Sequence, residues 1–446
     1  MHAQTVRSFA AVLAFSAAAI QPQVGLTQER ELTAAYNASG QELFERLAGR
    51  RGNIVISPYS IGTAMAMALS GARGDTESEL LAALRHSLQR PAIEAANARV
   101  LVKLNSYDQS KTPPTCPSGL SLDGNLCKGP RLAAGGCPFP ARPEGGQCVG
   151  PAKFAPSAKV SVANALMLTK SGKVAPEYAA LLKDKYAAEI FRDAQLADVN
   201  TWVKRKTEGK IEKIIDQLDP DTQAVLLNAV YFKAGWLAVF DKRNTADKPF
   251  HLTAASQIPV PTMHRTGSYA VTARSGYRAI RLPYAVRELS LIVVVPDKVD
   301  GVQEVLARLD GVEFSQMLAA VRAAPSTRVE LALPRFKATY KANLVPPFKD
   351  AGIKLAFSDA ADFSGMTGHP ASKGSLKIDQ IVHNAVIEVD EQGTEAAAAT
   401  AITMVPTSAM PQPPEPFRVD RPFLFYLVDD ATGAILFQGR IMDPRS

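Results

Sequence analysis

The chain has 446 residues, of which 46% are hydrophobic and 21% charged, with a formal net charge of +7. That balance belongs to a globular chain with a sizeable core and excludes a disordered or collagen-like one. The positive surplus is scattered; its densest run, Lys204-Arg205-Lys206, lies on an amphipathic helical pattern and reads as a solvated helix face rather than a nucleic-acid site.

The chain opens with a weakly basic start (His2, Arg7), an apolar run Phe9–Ile20 too short for a membrane span, and the small residues Ala17-Ala18-Ala19. This predicts a signal peptide over residues 1–19 and export to an oxidising, extracellular or periplasmic space, with no stable membrane association after cleavage. From Glu29 to Ala48 apolar residues recur at helical spacing. Asn53–Ile56 reads as a short strand. Ser57 then caps a helix with Pro58 at its first position, where no backbone donor is missed. Arg73-Gly74-Asp75 is a helix-ending turn. Helical patterns follow over Thr76–Leu84 and Ala92–Leu104.

Residues 106–157 break the pattern and read as an insertion in a surface loop, where added length costs little closure entropy. The segment is rich in proline and glycine and holds all four cysteines: Cys116, Cys127, Cys137 and Cys148. Cys116-Pro117 to Cys127 and Cys137-Pro138 to Cys148 repeat one spacing. Four cysteines allow three pairings; the repeat favours 116–127 and 137–148. Zinc is the alternative, and its ligands need spacings of two to four residues that are missing here. No metal site is expected.

Strands are predicted over Val160–Leu168 and Gln223–Phe232, the second a near-continuous apolar run of the kind covered on both faces. Helices are predicted over Pro176–Lys185 and Val199–Ile215. Later come strands Gln257–His264, Tyr269–Ala273, Arg278–Leu282 and Leu289–Val295, a helix Val302–Val321, and strands Arg328–Lys337 and Leu376–Val389. A hairpin, Phe423–Val428 with Ala434–Ile441, ends the chain. Helices and strands do not alternate regularly, so the class is α+β. No phosphate loop, dinucleotide fingerprint, His-Glu-x-x-His or Gly-x-Ser-x-Gly is present. Ser57 is explained as a cap and His383 as a core histidine on a buried strand, which leaves no case for an enzyme.

After the Leu376–Val389 strand comes Glu391-Gln392-Gly393-Thr394-Glu395-Ala396-Ala397-Ala398-Ala399-Thr400. After Glu395 nothing in it is bulky or charged, so it could slip between two strands without a clash. This stretch, with Asn53–Ile61, Val199–Val203, Thr207–Ile211, Asn228–Trp236, Ala361–Met366 and Arg421–Phe425, resembles the serpin family. The likeness extends from Glu29 to Pro444 apart from the cysteine segment, and suggests a secreted, bacterial-like member.

The resemblance implies a single domain over residues 29–446, with three β-sheets, eight or nine helices and an exposed reactive loop at 391–416. It implies a hinge (Gly393, Thr394, Glu395, Ala396, Ala397, Ala398, Ala399, Thr400) and a polar shutter cluster (Ser57, Ser60, Asn228, His383). It implies a target protease, serine or cysteine, trapped as a covalent acyl-enzyme when the cut loop enters a sheet. Counting from Gly393 as the fifteenth residue before the cut places the reactive bond at Thr407–Ser408. Pro406-Thr407 suits an elastase-like target; Met404 and Met410 are alternative sites for a chymotrypsin- or subtilisin-like one. If the loop inserts, Thr394, Ala396, Ala398, Thr400, Ile402 and Met404 face inward. Val345-Pro346-Pro347 departs from the family and predicts a shortened helix. No cofactor is expected, since Ala92–Leu104 carries only Arg99 and Lys103 for a heparin-like polyanion. The protein is expected to be a monomer. A non-inhibitory serpin acting as a binding or chaperone protein is the alternative.

Overall fold

The structure, a computed structural model, describes residues 17–49, 52–133, 135–169, 174–193, 195–309, 311–370, 376–394 and 413–445. Among them are ten α-helices and three sheets. The shortest helices are Val345–Asp350, the shortened helix expected at the prolines, and the single turn Ser364–Thr367.

A six-stranded sheet has the spatial order Phe336–Asn343, Ile378–Val389, Gly393–Thr394, Ala224–Gly235, Ala158–Leu168, Glu189–Arg192. Its central strand, Ala224–Gly235, is apolar almost throughout because both its faces are covered. Leu226, Val230 and Phe232 join the main core, while Val225, Leu227 and Ala229 pack beneath Trp202, Val203, Ile211 and Ile214. On the core side lies the helix Pro58–Gly71, buried along its whole length. Its small residues permit that depth: a Cβ on Gly62 would fall 2.3 Å from the ring of Tyr36.

The nine-stranded sheet runs from Ile54–Ile56 through the C-terminal hairpin, Leu289–Pro296 and Tyr277–Pro283 to Ser256–Arg274, Ser326–Pro334 and Glu415–Arg418. The third sheet belongs to the cysteine segment, four short strands tied by Cys116–Cys127 and Cys137–Cys148. These are the pairings favoured by the sequence repeat.

Several predicted elements end elsewhere. The helix expected over Val199–Ile215 is Leu196–Lys206, because Glu208 and Gly209 turn the chain with φ of 50° and 81°. Ile211, Ile214 and Ile215 still bury, but from an irregular segment held by Asn200, whose Oδ1 accepts from the Ile214 and Ile215 amides. The run Val302–Val321 divides into Val302–Arg308 and Gly311–Ala323. Two expected strands fuse into Ser256–Arg274, which is paired in turn with three neighbours. Arg328–Lys337 divides at Arg335, where the chain leaves the nine-stranded sheet for the six-stranded one.

Candidate functional site

The strands Ala224–Gly235 and Ile378–Val389 run parallel and pair directly from Ile378 opposite Ala224 to Ala385 opposite Val230. Past Ala385 they part. Into the opening fits Gly393–Thr394, antiparallel to both, with Thr394 opposite Val389 on one side and Ala234 on the other. Of the residues expected to form a hinge, Thr394 therefore already has its side chain in the sheet. Thr394 is fully buried, and its hydroxyl lies 2.6 Å from that of Tyr284, whose ring stacks on Trp236 at 4.5 Å. Gly393 is required by close approach: a Cβ there would sit 2.1 Å from the Ala234 carbonyl oxygen.

The turn before the hinge is held from several sides. Asp390 Oδ1 accepts from the amides of Gln392 (2.8 Å) and Gly393 (3.2 Å). Trp236 donates its Nε1–H to the Asp390 carbonyl at 2.9 Å. Glu391 is 1% exposed; its carboxylate accepts from Arg335 Nε at 2.7 Å and Thr245 Oγ1 at 2.5 Å. Burial pushes the Glu391 pKa up, but Arg335 and Thr245 outweigh it and hold the carboxyl below its ordinary value.

Deeper in the sheet is the polar cluster. Asn164, Asn228 and His383 sit opposite one another on three neighbouring strands, and Ser60 faces them from the helix. Asn228 Nδ2 lies 2.9 Å from the Ser60 carbonyl, 2.6 Å from Ser60 Oγ and 2.5 Å from Asn164 Oδ1. Its Oδ1 is left to accept, so His383 Nδ1, at 2.5 Å, carries the proton. Burial pushes the His383 imidazole down to about 3, so it is neutral. Its Nε2 is an acceptor with no partner among the described residues. Ser57 accepts from the Ser60 amide at 3.1 Å as the helix cap and is one step removed from the row.

Of the predicted site residues, the structure thus unites Ser60, Asn228 and His383 in one contact network and places Gly393 and Thr394 at the sheet's open end. Glu395–Thr400, Thr407, Ser408, Met404 and Met410 lie outside the described residues. Sequence reasoning missed Asn164, Tyr284, Thr245 and the role of Arg335. Asn164 alone left a signal, as a polar residue inside an apolar strand pattern.

A six-stranded sheet opened at one end, with Gly393–Thr394 seated in the gap, and a chain that next appears in the nine-stranded sheet at Glu415–Arg418, define a scaffold whose two sheets share this stretch of sequence. The family model described as serpin, serine protease inhibitor, matches residues 34–122 and 148–444. The chain belongs to the serpin family, whose members are not catalysts: many inhibit proteases and some are non-inhibitory binding proteins. The unmatched stretch between the two matches, residues 123–147, is about half of the disulfide-tied module and holds Cys127 and Cys137.

The chain is 32% identical over 428 residues to an uncharacterized serpin-like protein of Thermococcus kodakarensis, covering 94% of this chain and 87% of that protein. It is 31% identical to the leukocyte elastase inhibitor of Bos taurus, covering 93% and 100% of the two chains. Among solved structures, the insect Serpin48 of Tenebrio molitor matches with a TM-score of 0.69 at 27% identity, covering 95% and 99%. The thermophilic serpin tengpin in its native state has the same fold, with a TM-score of 0.73 at 24% identity, covering 92% and 94%.

Proposed function

We propose that the chain is a suicide-substrate inhibitor of a serine protease. The protease attacks the 391–416 loop and forms an acyl-enzyme. The cut loop then enters the six-stranded sheet as a full strand and distorts the attached protease. The observation that carries this reading is Thr394, already seated antiparallel between the two strands that must part.

Extending that register supports it. Each further loop residue moves one step down both neighbours, so Ala396 comes opposite Ile387 and Phe232, and Ala398 opposite Ala385 and Val230. Those neighbours belong to the main core, and alanine fits among them without displacing a side chain. Thr400 comes opposite His383 and Asn228, with a hydroxyl at the level of the unpartnered His383 Nε2. Glu395, the one charge, falls on the other face, level with Glu388 and Lys233. Insertion exchanges one parallel ladder for two antiparallel ones, each slightly more stable per residue and adding hydrogen bonds of ~1 kcal/mol.

The reactive bond in this reading is Thr407–Ser408. The small β-branched Thr407 suits an elastase-like pocket; Met404 or Met410 would suit a chymotrypsin- or subtilisin-like one. The protein is read as an exported monomer, a single domain over residues 29–446 with the module inserted at 106–157. Incubation with a panel of serine proteases, followed by N-terminal sequencing of the released fragment, tests this. The expected result is an SDS-stable complex and a fragment beginning at Ser408. Cleavage with no complex from any protease would favour the non-inhibitory reading.

A further inference from the structure

The disulfide-tied module supplies none of the residues described at the open end of the six-stranded sheet, and its placement is specific. It springs from a stalk formed by Tyr107–Gln109 and Ser157–Ala158, where the Ala158 amide donates to the Tyr107 carbonyl at 2.9 Å and Ser157 Oγ accepts from the Gln109 amide at 2.9 Å. Ala158 pairs with Ala234, the residue that also pairs with Thr394. The module and the loop therefore leave the same end of the same sheet two strands apart, about 10 Å at ordinary strand spacing. The stalk is pinned there by Tyr107, whose hydroxyl donates to buried Asp429 Oδ1 at 2.8 Å.

The module's surface is unlike the rest. Eight large apolar residues are exposed among the described residues, and five belong to it or its base: Leu122, Leu126, Leu132, Phe139 and Phe154. Phe139 is 93% exposed. A segment this small cannot build a full core, and two buried half-cystines, Cys127 and Cys148, fill its centre. That explains a lack of burial; it does not explain five large apolar groups held out to solvent on a cross-linked frame. Such a frame loses little conformational entropy on binding, as a docking surface requires.

We propose that this module is a second docking surface for the protease that attacks the loop, a proposal resting on the reading of 391–416 as bait. A protease–inhibitor interface of ~800 Å² a side spans roughly 30 Å. That span is about three times the ~10 Å between the module's stalk and Thr394, from which the chain runs on into the bait segment. The aromatic and aliphatic groups meet an apolar patch beside the protease's active-site cleft and speed capture, without changing how the acyl-enzyme partitions once the loop is cut.

The test uses the full chain and a Leu132→Ser/Phe139→Ser/Phe154→Ser variant, with pancreatic elastase, chymotrypsin and subtilisin as probes. The second-order rate of loop attack is measured as the sum of complex and cleaved chain. The expected result, with at least one probe, is a rate lowered tenfold or more, while the ratio of complex to cleaved chain and the urea midpoint stay at wild-type values. Equal rates within twofold for all three overturn the proposal. So does a concentration-dependent dimer of the wild-type chain, in sedimentation, that the variant abolishes. If no complex forms but the variant is still cut tenfold more slowly, the docking surface stands and the trapping mechanism fails. A second variant, with residues 110–156 replaced by a short glycine linker, must reproduce the slower attack.

Discussion

Replacing Thr394 by arginine tests the insertion mechanism at its first step. The slot is lined by Tyr284, Trp236, Val389 and Ala234, and the buried carboxylate of the preceding turn, Glu391, is already engaged by Arg335 and Thr245. A guanidinium in that slot finds no free acid among the described residues that line it. Breaking or omitting the partner of a buried charge costs about 3–5 kcal/mol, and the hydroxyl bond to Tyr284, worth ~1 kcal/mol, is lost as well. The native variant is expected to withdraw residues 393–394 from the sheet. After cleavage, insertion must carry the arginine past the same slot. A barrier raised by ~3 kcal/mol slows that step by roughly 100-fold, and hydrolysis of the acyl-enzyme then wins. Thr394→Arg should be cut at a normal rate yet leave almost no SDS-stable complex, while Thr394→Ser, which keeps the hydroxyl, should trap normally. If Thr394→Arg forms complex at the wild-type stoichiometry, the seated hinge does not control insertion.

Asn228→Ala removes contacts to Ser60, Asn164 and His383 at once. It should lower the unfolding free energy by about 2–4 kcal/mol; a loss below ~0.5 kcal/mol in urea denaturation would show that the row contributes nothing. Glu391→Ala leaves Arg335 without its buried partner and should lower stability by about 1–3 kcal/mol. Amide exchange in 390–394 should also accelerate, and unchanged protection there would contradict the proposed anchoring. Burial holds the imidazoles of His383 and His86 down to about 3 and about 4, whereas an unfolded histidine titrates near ~6.5. Above that pH neither state takes up a proton. Below it only the unfolded chain does, so stability should fall by up to ~1.4 kcal/mol per pH unit for each histidine until the folded values are reached. A urea midpoint that stays level between pH 7.5 and 5 would refute this. Reducing both disulfides should leave the melting of the main domain within ~1 kcal/mol of its starting value while exposing residues 110–156 to proteolysis, since each bridge closes a separation of only 11 residues inside the module.

The amino-acid order alone determined much of this protein. The repeat of Cys-Pro spacing pointed to the two local disulfides. The cap at Ser57 and the near-continuous apolar run 223–232 marked a buried helix and a central strand, because capping and burial on both faces are written in local residue type. The small residues after Gly393 marked a segment able to enter a sheet. What the sequence could not decide was who stands beside whom. Strand partners are chosen across hundreds of residues, and an alternating pattern reports which positions bury but not their neighbours. Hence the change of sheet at Arg335, the ladder position of Asn164 and the Tyr284 contact were invisible, although each residue was in plain view. The tertiary structure alone decided that Thr394 already sits between residues 234 and 389, and that the inserted module rises beside it. Both depend on hydrogen-bond register between distant strands, which no local sequence signal specifies.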